Sequence, residues 1–423
     1  MSGNFLKTKD VFGIQRDLPL NYVEREADKI LLDSLDRKHH VVIYGSSKQG
    51  KTSLRKRNLK EKDYVIVHCS NKWDLLQINF NILKQAGFEL TTSEKITTSG
   101  KAKVKATLGW NLLAKAEAGT EIEGERSKEK EIKALDINPE DVNDIITALE
   151  ELNFKNIIVL EDFHYLKPET QKDFSIALKA FHENSSFTFL IIGVWLEENR
   201  LIALNGDLAG RVKSVNADEW QLQELYTVVK DGESLLNVSF DKDSLDTLVK
   251  ESLQNVYIVQ EVCYQICIRN GIEETVQGVT AKLNCNELES IMDGVIDQHA
   301  GRYNTFVTSF VDGFQATELE MYKWIFYSVI SAPIDQLEKG LRRSIIAAKI
   351  QEKHPKGSEL NPGNLTQALN SIAALQIKKG ITPIILDYDS GNLRLNIVDK
   401  GFIIWLNNQN RKDVLKEAGL PIE

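Results

Sequence analysis

The 423 residues predict an α/β domain built on a parallel sheet, followed by a helical domain and then by a domain of helices closed with a β-hairpin. Three observations carry this. Between residues 36 and 214, short β-branched runs alternate with helical stretches, as in a parallel sheet buried on both faces. From 216 to 315 those runs vanish and apolar residues recur at helical spacing. The last hundred residues end in two apolar runs separated by the turn DSGN.

In order along the chain, the strands expected in the first domain are VVIY at 41–44, YVIVHC at 64–69, NIIVL at 156–160 and FTFLIIGV at 187–194. Residues 91–135 interrupt this domain with dense charge, the alternating KAKVKATL and few large apolar groups besides Trp110. They read as a solvated hairpin or flexible flap inserted after the helix that follows the second strand. In the second domain ELYTVVKDGESLL, DSLDTLVKESL and YIVQEVCYQICIRNG read as helices, with Gly271 stopping the last. In the third, helical patterns at 319–331, 340–352 and 362–377 precede ITPIILDY, DSGN and LRLNIVD. That is the order of elements in a winged helix, and GFIIWL would fold back on its core. The expected domains are therefore 1–215, with an insertion at about 91–135, then 216–315 and 316–423.

A composition of 42% hydrophobic and 27% charged residues is that of a soluble globular chain and excludes collagen-like, mucin-like or wholly disordered classes. The net charge of -9 divides as 0 for residues 1–215, -11 for 216–315 and +2 for 316–423, so the acidity belongs to the helical domain. Cys69, Cys263, Cys267 and Cys285 form no CxxC pair, and a reducing cytoplasmic setting is expected. Cys263 and Cys267 lie one helical turn apart without a histidine or carboxylate to complete a metal set, and read as buried structural residues. The start shows no apolar leader, and the longest apolar stretch, 187–196, is far short of the roughly 20 residues of a membrane span, so no membrane partner is expected.

Directly after the first strand stands Gly45-Ser46-Ser47-Lys48-Gln49-Gly50-Lys51-Thr52, a full match to GxxxxGK[ST] between a strand and a helix. Glycines let the backbone curl so that successive N–H groups and the next helix N-terminus converge on phosphate. These eight residues and Ser53 are the expected nucleotide-binding set, with Lys51 on the β- and γ-phosphates and the Thr52 hydroxyl on Mg²⁺. ATP and Mg²⁺ are the expected cofactors. The strand NIIVL ends in Glu161-Asp162: Glu161 is expected on the metal side, and Asp162 as the base that polarises an attacking water. His164, beside an aromatic in the same loop, reads more readily as packed than as catalytic. Arg55, Lys56 and Arg57 exceed what a phosphate site needs and read as a solvated helix face.

This constellation resembles the AAA+ class of P-loop ATPases, and within it the STAND signalling ATPases and the related replication-initiator ATPases. The resemblance covers nearly the whole chain in order. The leading segment LNYVEREADKILLDSL, with Arg25 and Glu26 at its start, is followed by the phosphate loop and the acidic strand end. Next come FTFLIIGVW where the family carries a sensor, LNGDLAGRVKSV with Arg211 in the place of an arginine finger, a helical lid and a winged helix. The resemblance implies a nucleotide held between α/β domain and lid, with Arg211 of a neighbouring subunit completing the site in trans. Lys51, Glu161, Asp162 and Arg211 are then the catalytic set, and ATP favours self-association.

Three departures modify that expectation. The acids run Glu-Asp rather than Asp-Glu, the fourth strand ends Gly193-Val194-Trp195 without Asn or Thr, and Ile258 and Val259 stand where a motor's second sensor arginine is expected. They imply slow, oligomer-dependent hydrolysis and a switch rather than a processive motor. The expected function is thus a Mg²⁺-dependent ATP-binding and hydrolysing switch with nucleotide-controlled oligomerisation and a protein effector. Anti-phage defence is the setting the resemblance suggests. The alternative is a DNA-binding ATPase of the replication-initiator or transposon-target-selector type. It would read DNA with the helix 364–379, whose Leu365, Leu369, Ile372 and Leu375 face the core while Asn364, Gln367, Asn370 and Ser371 point outward. A non-hydrolysing scaffold that binds nucleotide for structure is the third class.

Overall fold

The computed structural model describes residues 5–13, 17–96, 102–108, 135–311, 319–357 and 360–422. After α1 (Thr8–Val11) and α2 (Glu26–Asp36), the chain runs β1 (His40–Tyr44), α3 (Lys51–Asn58), β2 (Tyr64–His68), α4 (Leu75–Ala86), β3 (Phe88–Ile96), β4 (Ala102–Leu108), β5 (Leu135–Ile137) and α5 (Val142–Glu151). It continues through β6 (Ile157–Glu161), α6 (Pro168–Asn184), β7 (Phe189–Ile192), α7 (Arg200–Leu204) and β8 (Val212–Asn216). Strands β1, β2, β6, β7 and β8 form one parallel sheet in the order β2-β6-β7-β1-β8.

Every residue of β1 and β7 is buried, because helices cover both faces and the strands need no polar side. Val41 and Ile43 pack with Leu31 and Leu54 on one face; Val42 and Tyr44 pack with Ile191 and Phe174 on the other. Strand β8 is not among the four strands expected from the sequence. It lies at the sheet edge and exposes Lys213, so VKSVN lacks the continuous apolar run that marks the others. Strand β7 separates β1 from β6, and all five strands end on the same edge, where the phosphate loop, the acidic pair and residues 193–195 come together.

Strands β3, β4 and β5 form a separate antiparallel sheet. Ala106, Phe88 and Ile137 are buried and belong to the same core as Ile82 of α4, so the described part of the charged insertion is anchored on the α/β domain. Trp110 lies outside the described residues.

Beyond the sheet come α8 (Leu222–Leu236), β9 (Val238–Ser239), α9 (Lys242–Glu251), α10 (Val256–Arg269), β10 (Ala281–Lys282), α11 (Leu288–Asp297) and α12 (Ala300–Val311). The chain then forms α13 (Met321–Ile330), α14 (Ile334–Glu338), β11 (Leu341–Arg342), α15 (Arg343–Lys353), α16 (Pro362–Lys378), β12 (Leu386–Asp389), β13 (Arg394–Ile397), α17 (Lys400–Asn407) and α18 (Arg411–Glu417). Strand β13 pairs antiparallel with β12 on one side and with the short β11 on the other. Phe12, Val259, Phe306, Phe326 and Phe402 belong to one continuous core, which also buries Cys263 and Cys267. Helix α16 turns Leu365, Leu369, Ile372 and Leu375 inward. Gln376, wholly buried, donates to Leu386 O and accepts from the Ile385 and Leu386 amides, which satisfies its amide and fastens α16 to the hairpin. Among the described residues no helix is long and apolar enough to cross a membrane.

The C-terminal region docks on the edge where the sheet strands end. Val194 packs with Ile384 and Val398, Arg200 pairs with Asp387 at 2.8 Å, and the Ser47 amide donates to Val398 O at 2.9 Å.

Candidate nucleotide site

The loop after β1 is bent by Gly45 at φ 143, Lys48 at φ 63 and Gly50 at φ 81. A Cβ on residue 45 would meet Asp218 Oδ1 at 2.5 Å, so that position takes no side chain. In α3 the Leu54 amide reaches Gly50 O at 2.8 Å, while the amides of Lys51, Thr52 and Ser53 lie in the first turn without intrahelical acceptors. With the helix dipole behind them they make an anion site. Lys51 Nζ folds back on Gly45 O at 3.0 Å and on Ser46 O. Burial lowers its pKa to about 8 against the pull of Asp218, Glu161 and Asp162. Its ammonium is held by carbonyls alone, in the place where phosphate oxygens would serve it better.

A cavity of about 320 Å³ opens beside this loop, between the N-terminal segment around Asn21–Arg25 and helices α8 and α10, with Val194, Trp220, Val228 and Val256 in its wall. Arg25 lies 3.8 Å over the Trp220 ring and donates to Ala217 O. Its Nε and both amide atoms of the buried Gln49 have no partner. Asn21 and Gln260 exchange hydrogen bonds of 3.1 and 2.9 Å, and Asn21 also reaches Val228 O, which ties the N-terminal segment to the helical region. Apolar walls with a few orphaned polar groups beside an anion-binding loop fit a nucleoside triphosphate. Thr52 is exposed at the same mouth. Mg²⁺ keeps most of its waters and needs few protein oxygens besides phosphate. The exposed Thr52 hydroxyl and the Glu161 carboxylate are the oxygens this site offers toward that demand.

The acidic pair divides in a way the sequence did not show. Glu161 Oε1 accepts from Arg55 Nε at 3.0 Å, and both side chains are buried. Arg55 is therefore not on a solvated face as expected: it is 3% exposed, with its guanidinium over the Tyr64 ring. Burial pushes the Glu161 carboxyl up and Arg55 pulls it back. Asp162, at φ 59, makes no ion pair among the described residues, and burial raises its pKa against the pull of His68 and Lys51. His164 is buried with both ring nitrogens unpartnered, and burial drives its pKa down to about 3, so the ring is neutral.

Of the expected catalytic set, the structure gathers Lys51, Glu161 and Asp162 and leaves Arg211 apart. The Arg211 guanidinium pairs with Glu183 at 2.8 Å and donates to Asp207 O, and the residue's backbone carbonyl accepts from the His40 amide at the start of β1, the sheet edge opposite its own phosphate loop. Trp195, wholly buried, bridges to Gly45 where a polar sensor would stand. A Cβ on Gly193 would fall 1.6 Å from the Trp195 ring. Asp218 escaped sequence reasoning: it accepts from Ser46 N at 2.7 Å and from Ser46 Oγ, closing the start of the loop. It follows the edge strand that was itself not foreseen, and no local signal marks it.

At the docking edge Glu197 is buried near Asp387 and Asp389. Burial, opposed by Arg200 and helped by the two acids, raises its pKa to about 7 from an ordinary 4.5. An acid whose folded pKa is raised favours the folded state below its unfolded pKa and loses that advantage as pH rises through the folded value. Between about pH 4.5 and 7 the wild-type chain is therefore expected to lose about 2–3 kcal/mol that Glu197→Gln retains. Urea unfolding at pH 5 and pH 8 reads the difference, and equal losses in both proteins would refute it.

No family model and no curated protein matches this chain. Among solved structures it is similar to the Walker-type ATPase PABY2304 of Pyrococcus abyssi, with a TM-score of 0.52 at 13% identity over 94% of this chain and 99% of that one. It is also similar to the Orc1 protein of Aeropyrum pernix in complex with DNA (TM-score 0.43, 10% identity, 98% and 97% covered). A third is the RuvB Holliday junction branch migration motor of Thermotoga maritima (0.37, 13%, 96% and 99%). The first likeness is one of fold, and it extends over nearly all of both chains. The α/β domain has the AAA+ P-loop fold.

Proposed function

We propose that the chain is a Mg²⁺-dependent AAA+ ATPase that acts as a switch, its nucleotide state coupled to docking of its C-terminal region. One observation carries this: the Ser47 amide, in the loop built to cradle phosphate, donates to Val398 O of the C-terminal region at 2.9 Å. A phosphate that takes the Ser47 amide takes it from Val398. The docked and nucleotide-loaded arrangements then compete for one donor, and differential binding of this kind is what shifts a two-state equilibrium.

In the site, the amides of the first turn of α3 hold phosphate and Lys51 exchanges the carbonyls of Gly45 and Ser46 for phosphate oxygens. Thr52 and Glu161, the latter oriented by Arg55, supply the metal side. When bound, Mg²⁺ offsets the charge of the phosphates. Asp162 takes the proton of the attacking water, a role that its raised pKa suits. Helices α8–α12 serve as the lid, and α13, α15 and α16 with the β12–β13 hairpin as a winged helix. Arg211, at the surface, completes the site of a second copy, so the isolated chain hydrolyses slowly. A protein effector reads the released C-terminal region. DNA would be read by α16, but Asn370, Ser371 and Lys378 line a cleft of about 830 Å³ that faces the α/β domain. That helix meets a duplex only after the region lifts.

Turnover and sedimentation with ADP, ATP and a slowly hydrolysed analogue test the switch. The expected result is slow turnover and a sedimentation coefficient that differs between ADP and the analogue. Sedimentation that ignores nucleotide, with no turnover, would sink it. DNA affinity that is ATP-dependent and falls steeply with salt would favour the duplex as partner.

A further inference from the structure

Lys48 stands at φ 63 at the tip of the phosphate loop, in left-handed backbone where glycine is the usual residue, so the loop presents a long cation where it would ordinarily present none. Its Nζ lies 3.7 Å from the centre of the Tyr257 ring and 2.6 Å from His299 Nε2, and Tyr257 Oη lies 3.2 Å from the same nitrogen. Tyr257 comes from α10 and His299 from the turn between α11 and α12, so one ammonium joins the loop to the helical region. Burial, with Lys48 and Arg302 nearby, pushes the His299 pKa down, which leaves the ring neutral and able to accept. Ring face and imidazole hold the cation without neutralising it.

Lys48 makes no ion pair among the described residues; of the two acids that act on it from a distance, Asp399 is committed to Arg302 and Glu261 accepts from Gln265. Desolvation of the ammonium lowers its pKa to about 8, although the residue as a whole is exposed. Lys48 lines the same cavity as Lys51 and Thr52. Ile258 and Val259, in the place of the expected sensor arginine, are buried at 1% and 0% exposure in the helical core. Their neighbour Tyr257 meets the loop at Lys48. Lys51 Nζ sits inside the loop on Gly45 O and Ser46 O, whereas Lys48 stands at the loop's tip, so the two cations approach a bound triphosphate from different sides.

We propose that Lys48 reads the terminal phosphate of bound ATP, leaving Tyr257 and His299 to do so, and thereby reports the third phosphate to the helical region. This rests on the nucleotide reading above and names the residue that separates ATP from ADP. The cation compensates within the chain for the missing sensor arginine, and its release from α10 is the signal.

The test is equilibrium binding of a slowly hydrolysed ATP analogue and of ADP, both with Mg²⁺, to wild type, Lys48→Met, Lys48→Gln and Lys51→Ala. Both Lys48 variants are expected to lose about tenfold or more for the analogue and less than threefold for ADP, the size of one charge-assisted hydrogen bond. Lys51→Ala is expected to weaken both ligands. In wild type the His299 ring resonance, assigned through His299→Gln, should shift with the analogue and stay with ADP; in Lys48→Met it should ignore both. Unfolding midpoints without nucleotide show whether each variant folds, and Lys48→Gln supplies the measurement if Lys48→Met does not. An unchanged analogue-to-ADP ratio in a folded Lys48 variant overturns this proposal alone. Wild-type protein that binds neither ligand overturns the nucleotide reading beneath it.

Discussion

Lys51→Ala is expected to cut affinity for Mg²⁺-ATP by two to four orders of magnitude and to reduce turnover below detection. Lys51 Nζ already sits inside the loop on Gly45 O and Ser46 O, so bound phosphate gains an ammonium that makes no ion pair among the described residues. Two charge-assisted hydrogen bonds at about 1.5–3 kcal/mol each correspond to roughly 10²–10⁴ in binding. Calorimetric titration measures this directly, and affinity that survives the substitution would show that nucleotide does not lie on this loop. A pH dependence accompanies it. Burial holds the Lys51 pKa at about 8, and a phosphate partner raises it again, so binding above pH 8 must take up a proton. Affinity should therefore fall as pH rises through 8 in wild type, and this component should be absent in the alanine variant.

Arg55→Leu is expected to destabilise the α/β domain by about 3–5 kcal/mol, because it leaves Glu161 buried without its partner. Glu161 is already pushed upward by burial with Arg55 restraining it; without the arginine its pKa rises further, which weakens the negative charge on the metal side of the site. The double variant Arg55→Leu with Glu161→Leu should recover most of the stability and none of the turnover, since a buried ion pair replaced by apolar groups of similar volume is often neutral. Urea unfolding of the two singles and the double gives the coupling. A single variant as stable as wild type would mean that the pair adds nothing to the fold.

Much of this architecture is legible in the residues. VVIY, NIIVL and FTFLIIGV mark the inner strands because a strand buried on both faces has no polar positions, and YVIVHC is legible by the same β-branched run although β2 lies at the sheet edge. The three amphipathic segments of the helical region and the DSGN hairpin follow from local periodicity and turn chemistry in the same way. The phosphate loop is legible because its glycines and lysine serve one another within eight residues. The edge strand β8 is not, since Lys213, Ser214 and Asn216 break its apolar run and leave a weak pattern.

By itself, then, the sequence determined the α/β domain with its phosphate loop, the helices after it and the closing hairpin, all features whose causes lie within a dozen or so neighbouring residues. Tertiary structure alone decided that Arg55 holds Glu161 from 106 positions away, that Asp218 closes the loop at Ser46, that Lys48 rests on Tyr257 and His299, and that Val398 occupies the Ser47 amide. The physical reason is that a charge or a backbone donor takes whatever complementary group the packed core brings near it. Periodicity sets which face of an element is apolar, but the partner across the interface is chosen by how the elements stack.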